Sequence, residues 1–165
     1  MFTFIKNNFI LIKSFLIKAK TTLAGTYTIK DGTTVIADNA FYYCNELSTV
    51  DIQESDTPLS IGYQVKNFVT DYEYGPFYDS PLTSISLKRE LVYKDKNGND
   101  FTPDGWEEGI FANKHYDNNG LTTTVSLGNK VETISDYMFS GVRLKALWIP
   151  TSVKSIGNYA FYDCK

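Results

Sequence analysis

Histidine is nearly absent from this 165-residue chain, which holds only His115. A metal centre built on several imidazoles is excluded, and a Ser/His/Asp or Cys/His relay would have to use that one ring. The ring lies in Asn113-Lys-His-Tyr-Asp-Asn-Asn-Gly120, a polar stretch that reads as a solvated loop. Positive charge is also in short supply. With 16 Lys and Arg against 19 Asp and Glu, the formal net charge is -3, which leaves no basic footprint for a nucleic-acid backbone. Nucleic acid is therefore not expected as a partner. No apolar run reaches the roughly 18 residues of a membrane-spanning helix, so no stable transmembrane span is expected. The chain has no phosphate-binding fingerprint, nucleophile elbow or zinc motif. An enzyme is not expected, and no cofactor is called for.

What the chain does have is a 42% share of hydrophobic residues, enough to fill a sizeable core, and 11 Phe whose positions repeat. Leu127, Val131, Ile134 and Phe139 return as Ile149, Val153, Ile156 and Phe161, each 22 residues later. Ile29, Ile36 and Phe41 keep the same frame. Phe41, Phe77, Phe111, Phe139 and Phe161 mark five coils at spacings of 36, 34, 28 and 22, so the earlier coils carry insertions. Between them runs an apolar ladder, Leu47-Ser-Thr-Val50-Asp-Ile52, Leu82-Thr-Ser-Ile85-Ser-Leu87 and Leu144-Lys-Ala-Leu147-Trp-Ile149. Leu121-Thr-Thr-Thr-Val125-Ser-Leu127 carries one residue more, which a turn or bulge absorbs. Alternation within each ladder buries one set of side chains and exposes the other. A single coil cannot cover its own apolar edges, so the coils must stack.

These residues predict a leucine-rich repeat solenoid: short parallel strands on one face, loops and short helical or extended turns on the other. The repeat domain is read as 25–165, incomplete at the carboxyl end because the ladder expected after Cys164-Lys165 is missing. Residues 1–24 differ. Phe2, Ile5, Phe9, Ile12 and Leu16 follow three- and four-residue spacing, which predicts an amphipathic helix, with Lys6, Lys13, Lys18 and Lys20 among them. Three readings of this segment stay open: an export signal ending near Thr22-Leu-Ala24, a helix that caps the solenoid or touches a membrane, or a segment without settled structure.

Ile149-Pro-Thr-Ser-Val-Lys-Ser-Ile-Gly-Asn-Tyr-Ala-Phe-Tyr-Asp-Cys164 resembles the repeat of the BspA-type leucine-rich repeat family almost throughout. Val35-Ile-Ala-Asp-Asn-Ala-Phe-Tyr-Tyr-Cys44 and Val131-Glu-Thr-Ile-Ser-Asp-Tyr-Met-Phe139 are similar to the same half-repeat. The resemblance implies an exported or surface-displayed protein that binds a protein or a glycan-bearing surface, hence an extracellular or cell-surface location. A structural spacer with no ligand of its own is the rival reading.

The outward strand positions form two columns, Thr28, Asp51, Ser86, Ser126, Trp148 and Thr26, Thr49, Ser84, Thr124, Ala146. Candidate contact residues are Trp148, Asp51, Thr49, Ser86 and Ser126 on this face, and Trp106 in the 91–109 insertion. Asp95-Lys-Asn97-Gly98-Asn99-Asp100 superficially resembles a calcium loop, but its glycine falls fourth where an EF-hand needs it sixth; a hairpin turn at Asn97-Gly98 is simpler. No metal site is expected. Cys44 and Cys164 stand three residues after their Phe in the first and last coils, too many strand spacings apart for a disulfide. The unfinished last coil also invites end-to-end association.

Overall fold

The computed structural model describes residues 4–6, 9–12, 14–37, 39–61, 75–94, 99, 109–112 and 120–165. Trp106, His115 and the Asn97-Gly98 turn lie outside the described residues.

The ladders form one parallel five-stranded sheet. Its strands are β4 (Ala24–Ile29), β6 (Glu46–Ile52), β8 (Ser84–Leu87), β10 (Thr123–Leu127) and β12 (Leu144–Trp148), in the order β12-β10-β8-β6-β4. Sequence order and spatial order agree, as stacking of successive coils requires. Inward residues fill the core as registered columns; Ile29, Ile52 and Leu87 make one, and Val50, Ile85 and Val125 another. The register shifts between Thr123 and Thr124 where β10 meets β12, so Lys145 is skipped. The bulge therefore lies in β12 and not in the fourth ladder, as the extra residue there had suggested: Thr123, rather than Leu121, stands opposite Leu144. Thr123 is buried there, and its hydroxyl is satisfied by donating to the Leu82 carbonyl at 2.6 Å.

On the opposite flank the extended alternative holds and the helical one does not. Among the described residues this flank contains no helical turn, but more short strands. These are β5 (Val35–Ile36), β7 (Leu59–Ile61), β9 (Leu91–Tyr93), β11 (Thr133–Ile134) and β13 (Ser155–Ile156). The amino-terminal helix is corrected as well: β1 (Phe4–Lys6), β2 (Phe9–Ile12) and β3 (Phe15–Ala19) are strands, and the second sheet runs β1-β2-β3-β5-β7-β9. β1 and β2 form an antiparallel pair, β2 and β3 another, and β3 then joins β5 in parallel register, Leu16 opposite Ile36. A run rich in Phe and Ile suits a strand once a sheet edge is there to pair with. Leu16, Ala19 and Leu23 share the core of the repeats.

The coils meet along a spine of Phe rings. Successive centroids from Phe41 through Phe77, Phe111 and Phe139 to Phe161 are 4.7, 5.3, 5.6 and 5.7 Å apart, with ring planes within 21° of parallel. Backbone bonds tie the turns of adjacent coils, with Phe41 N donating to Pro76 O and Phe139 N to Ala160 O. Ala19 N donates to Ala40 O in the same manner, so Ala19 holds a sixth spine position where the ring is replaced by a methyl. The tight turns after Phe41, Phe77, Phe139 and Phe161 carry a left-handed residue two places after the Phe, namely Tyr43, Asp79, Gly141 and Asp163 at φ of 60, 61, 73 and 52°.

The cysteines belong to these turns. Cys44 is buried and donates its thiol toward Lys20 O at 3.5 Å, and Cys164 toward Phe139 O at 3.1 Å. Ser80, at the same offset from Phe77, donates to Phe41 O at 2.8 Å. Three turns thus fill the position with a short side chain that donates, whereas the turn after Phe139 fills it with the buried Val142. Burial pushes both thiols above the ordinary range, which keeps them protonated and poorly nucleophilic near neutral pH.

Arg89 follows β8 as the largest fully buried side chain, and its guanidinium donates to Lys30 O at 3.0 Å and Asp31 O at 3.1 Å. It clamps the β4–β5 turn from two coils away. Burial lowers its pKa from the usual guanidinium range.

Candidate interaction surface

Period-two alternation turns every second ladder residue away from the core, and parallel pairing places equivalent residues side by side at about 4.8 Å per strand. The register delivers the first outward column as Thr28, Asp51, Ser86, Ser126 and Trp148, and the second as Thr26, Thr49, Ser84, Thr124 and Ala146. Five of the six candidate contact residues, Thr49, Asp51, Ser86, Ser126 and Trp148, therefore lie on one continuous surface. Trp106 is outside the described residues.

The candidates differ in availability. Thr49, Asp51 and Ser86 are half-buried, while Ser126 and Trp148 are exposed. Asp51 is engaged by Lys88, whose ammonium lies 2.7 Å from its carboxylate; that bond holds the Asp51 carboxyl below the usual carboxylate range. Some hydroxyls at the ladder entrance serve the stack itself, Ser48 Oγ donating to Gly25 O at 3.2 Å and Thr83 Oγ1 to Ser48 O at 3.1 Å. Trp148 is the outlier, with 80% of its surface exposed at the end of its column. It projects from β12, whose one paired neighbour among the described strands is β10.

Sequence reasoning placed this face through its ladder period. It missed a second polar cluster formed by Glu90, Tyr93, Thr133, Ser135, Asp136 and Ser155, which line a groove where β9, β11 and β13 come together. Residues from three coils meet there, and no local motif announces them.

Among the described residues, no group of three or more His, Cys, Asp or Glu side chains could hold a metal ion, and no helix is long and apolar enough to cross a membrane. No curated protein and no solved structure matches the chain. The description of the BspA type leucine rich repeat region does match, in six copies over residues 19–97 and 109–165. Its start at residue 19 coincides with the spine position held by Ala19. With six copies, six spine positions and registered parallel ladders, the chain belongs to the BspA-type leucine-rich repeat family.

Proposed function

We propose that this chain is a non-enzymatic interaction module, displayed at a cell surface or secreted, and that it binds a protein or glycan-bearing surface through the outward face of its five-stranded ladder. Family membership supports a role in protein interaction, and the observation that carries the choice of face is Trp148. Indole is costly to leave in water, and a large rigid aromatic beside a flat polar surface is a frequent energetic anchor in interfaces. The flanking Thr and Ser columns supply short side chains that lose little entropy on contact.

The test is saturable binding of the chain to immobilised matrix proteins, mucin and bacterial cells, compared with Trp148→Ala. Loss of an exposed indole is expected to change stability by no more than about 0.5 kcal/mol while weakening binding at least tenfold, near 1.4 kcal/mol. Binding untouched by Trp148→Ala sinks the ladder-face assignment. Absence of saturable binding to every surface favours the spacer.

A second reading has its own observation. The outer edge of the last coil exposes Ile149, Ile156, Tyr159 and Tyr162 beside Trp148. That apolar rim is suited to end-to-end association, which sedimentation over a range of chain concentrations detects as a rising mass.

A further inference from the structure

The two sheets do not run in step. On the ladder side β8 and β10 are fully paired, Ser84 opposite Thr124 through Leu87 opposite Leu127. On the other side, the second strands of the same two coils, β9 and β11, are not paired, and the second sheet stops at β9 while β11 and β13 form a sheet of their own. Side chains take over where a backbone ladder would run. Glu90 Oε2 accepts the N–H groups of Glu132 at 2.8 Å and Thr133 at 3.3 Å, Ser135 Oγ donates to Leu91 O at 3.4 Å, and Tyr93 OH donates to Asp136 O at 2.7 Å. The split opens into a groove of about 390 Å³.

We infer that this groove is a binding site for a neutral or amino sugar, roughly one or two rings in size. Its polar groups are fixed before any ligand arrives. Glu90 is held through one carboxylate oxygen by two backbone N–H groups, and Asp136 through Oδ1 by Asn158 N at 2.7 Å. Among the described residues, the second oxygen of each accepts no protein hydrogen bond, so each can receive a ligand hydroxyl. Ser155 and Thr133 add two hydroxyls 3.2 Å apart, able to donate or accept as ring hydroxyls demand. Val92 and the 53% exposed Ile156 give apolar wall against which the C–H face of a pyranose can lie. Anchored charged acceptors beside an apolar wall are suited to a polyol, whose one face is C–H and whose rim is hydroxyl. Two carboxylates in one small groove repel a sugar acid and tolerate an ammonium, which sets the expected selectivity. This inference is independent of the ladder-face proposal, since the groove opens on the other sheet.

The experiment is an NMR titration of the isotope-labelled chain with galactose, N-acetylglucosamine, glucosamine and glucuronate. At least one of the first three is expected to give saturable shifts at the amides of Leu91–Tyr93, Thr133–Asp136 and Ser155–Ile156, with glucuronate giving none. Glu90→Gln keeps an oxygen for the Glu132 and Thr133 N–H groups but removes the charge, and is expected to weaken binding about tenfold. Ser155→Val, on the exposed rim of β13, is expected to weaken it at an unchanged melting temperature and carries the test should Glu90→Gln fail to fold. No saturable shift with any of the four sugars, equal binding of glucuronate, or binding indifferent to Ser155→Val overturns the inference. Trp148→Ala is expected to leave these shifts unaltered.

Discussion

Phe139→Ala is expected to lower the unfolding free energy by about 3 to 5 kcal/mol, measured by equilibrium denaturation. The ring is wholly buried between Phe111 at 5.6 Å and Phe161 at 5.7 Å, stacked within 17° and 11° of each. Truncation removes two aromatic contacts and leaves a cavity that the coils cannot readily collapse into, because their spacing is fixed by the β8–β10–β12 ladder and, toward Phe161, by β11–β13. Repeat arrays are held by nearest-neighbour interfaces, so the damage concentrates where the last coil meets the one before. Backbone amides tied across that junction, such as Phe139 N to Ala160 O, are expected to lose exchange protection first. A loss below about 1 kcal/mol would contradict the spine as the core of the fold.

Gly109→Ala is expected to cost about 3 kcal/mol through steric conflict rather than lost contact. A Cβ at this position would lie 2.1 Å from Tyr137 O, 2.8 Å from Ser140 N and 3.0 Å from Met138 O. All three are backbone atoms of the next coil, and Gly109 N itself donates to Ser140 O at 3.0 Å. No side chain can swing aside; the coils would have to separate. Gly32 gives the contrast, because a Cβ there meets nothing within 4 Å. Gly32→Ala is expected to be neutral or stabilising by up to about 1 kcal/mol, from the reduced freedom of the unfolded chain. Equal effects of the two substitutions in thermal melts would show that the close approach of the coils is absent.

The repeat was legible because its physics is periodic. Phe at corresponding turns and alternating apolar residues in the ladders answer to contacts that recur in every coil, so spacing alone located the spine and both outward columns. Elements of two or three residues, such as Val35–Ile36 and Thr133–Ile134, are too short to show a period, and the second sheet escaped notice for that reason. The stretch from Phe2 to Leu16 shows three- and four-residue spacing that reads as a helix; the parallel partner Val35–Ile36, distant in sequence, decides for strand in β3. Ala19 hid a sixth spine position because it conserves the turn's hydrogen bond without the ring. Arg89 was illegible for a similar reason, its acceptors lying 58 and 59 residues away. The groove between β9 and β11 depends on an interruption of pairing, and a missing ladder leaves no pattern in a sequence.

These particulars converge on one claim, that successive coils stack in register and so gather outward residues from the whole chain onto a single face. The most direct test is a distance between spin labels placed at Thr26 and Ala146, with Cys44 and Cys164 replaced by Ser. Both positions are exposed and lie in the same column, on the first and last of the five ladder strands. Four strand spacings predict one narrow distribution centred near 19 Å between backbones, about 4.8 Å per step, broadened only by the length of the labels. A broad distribution, or one centred beyond about 30 Å, contradicts the stacked register and the interaction face built upon it.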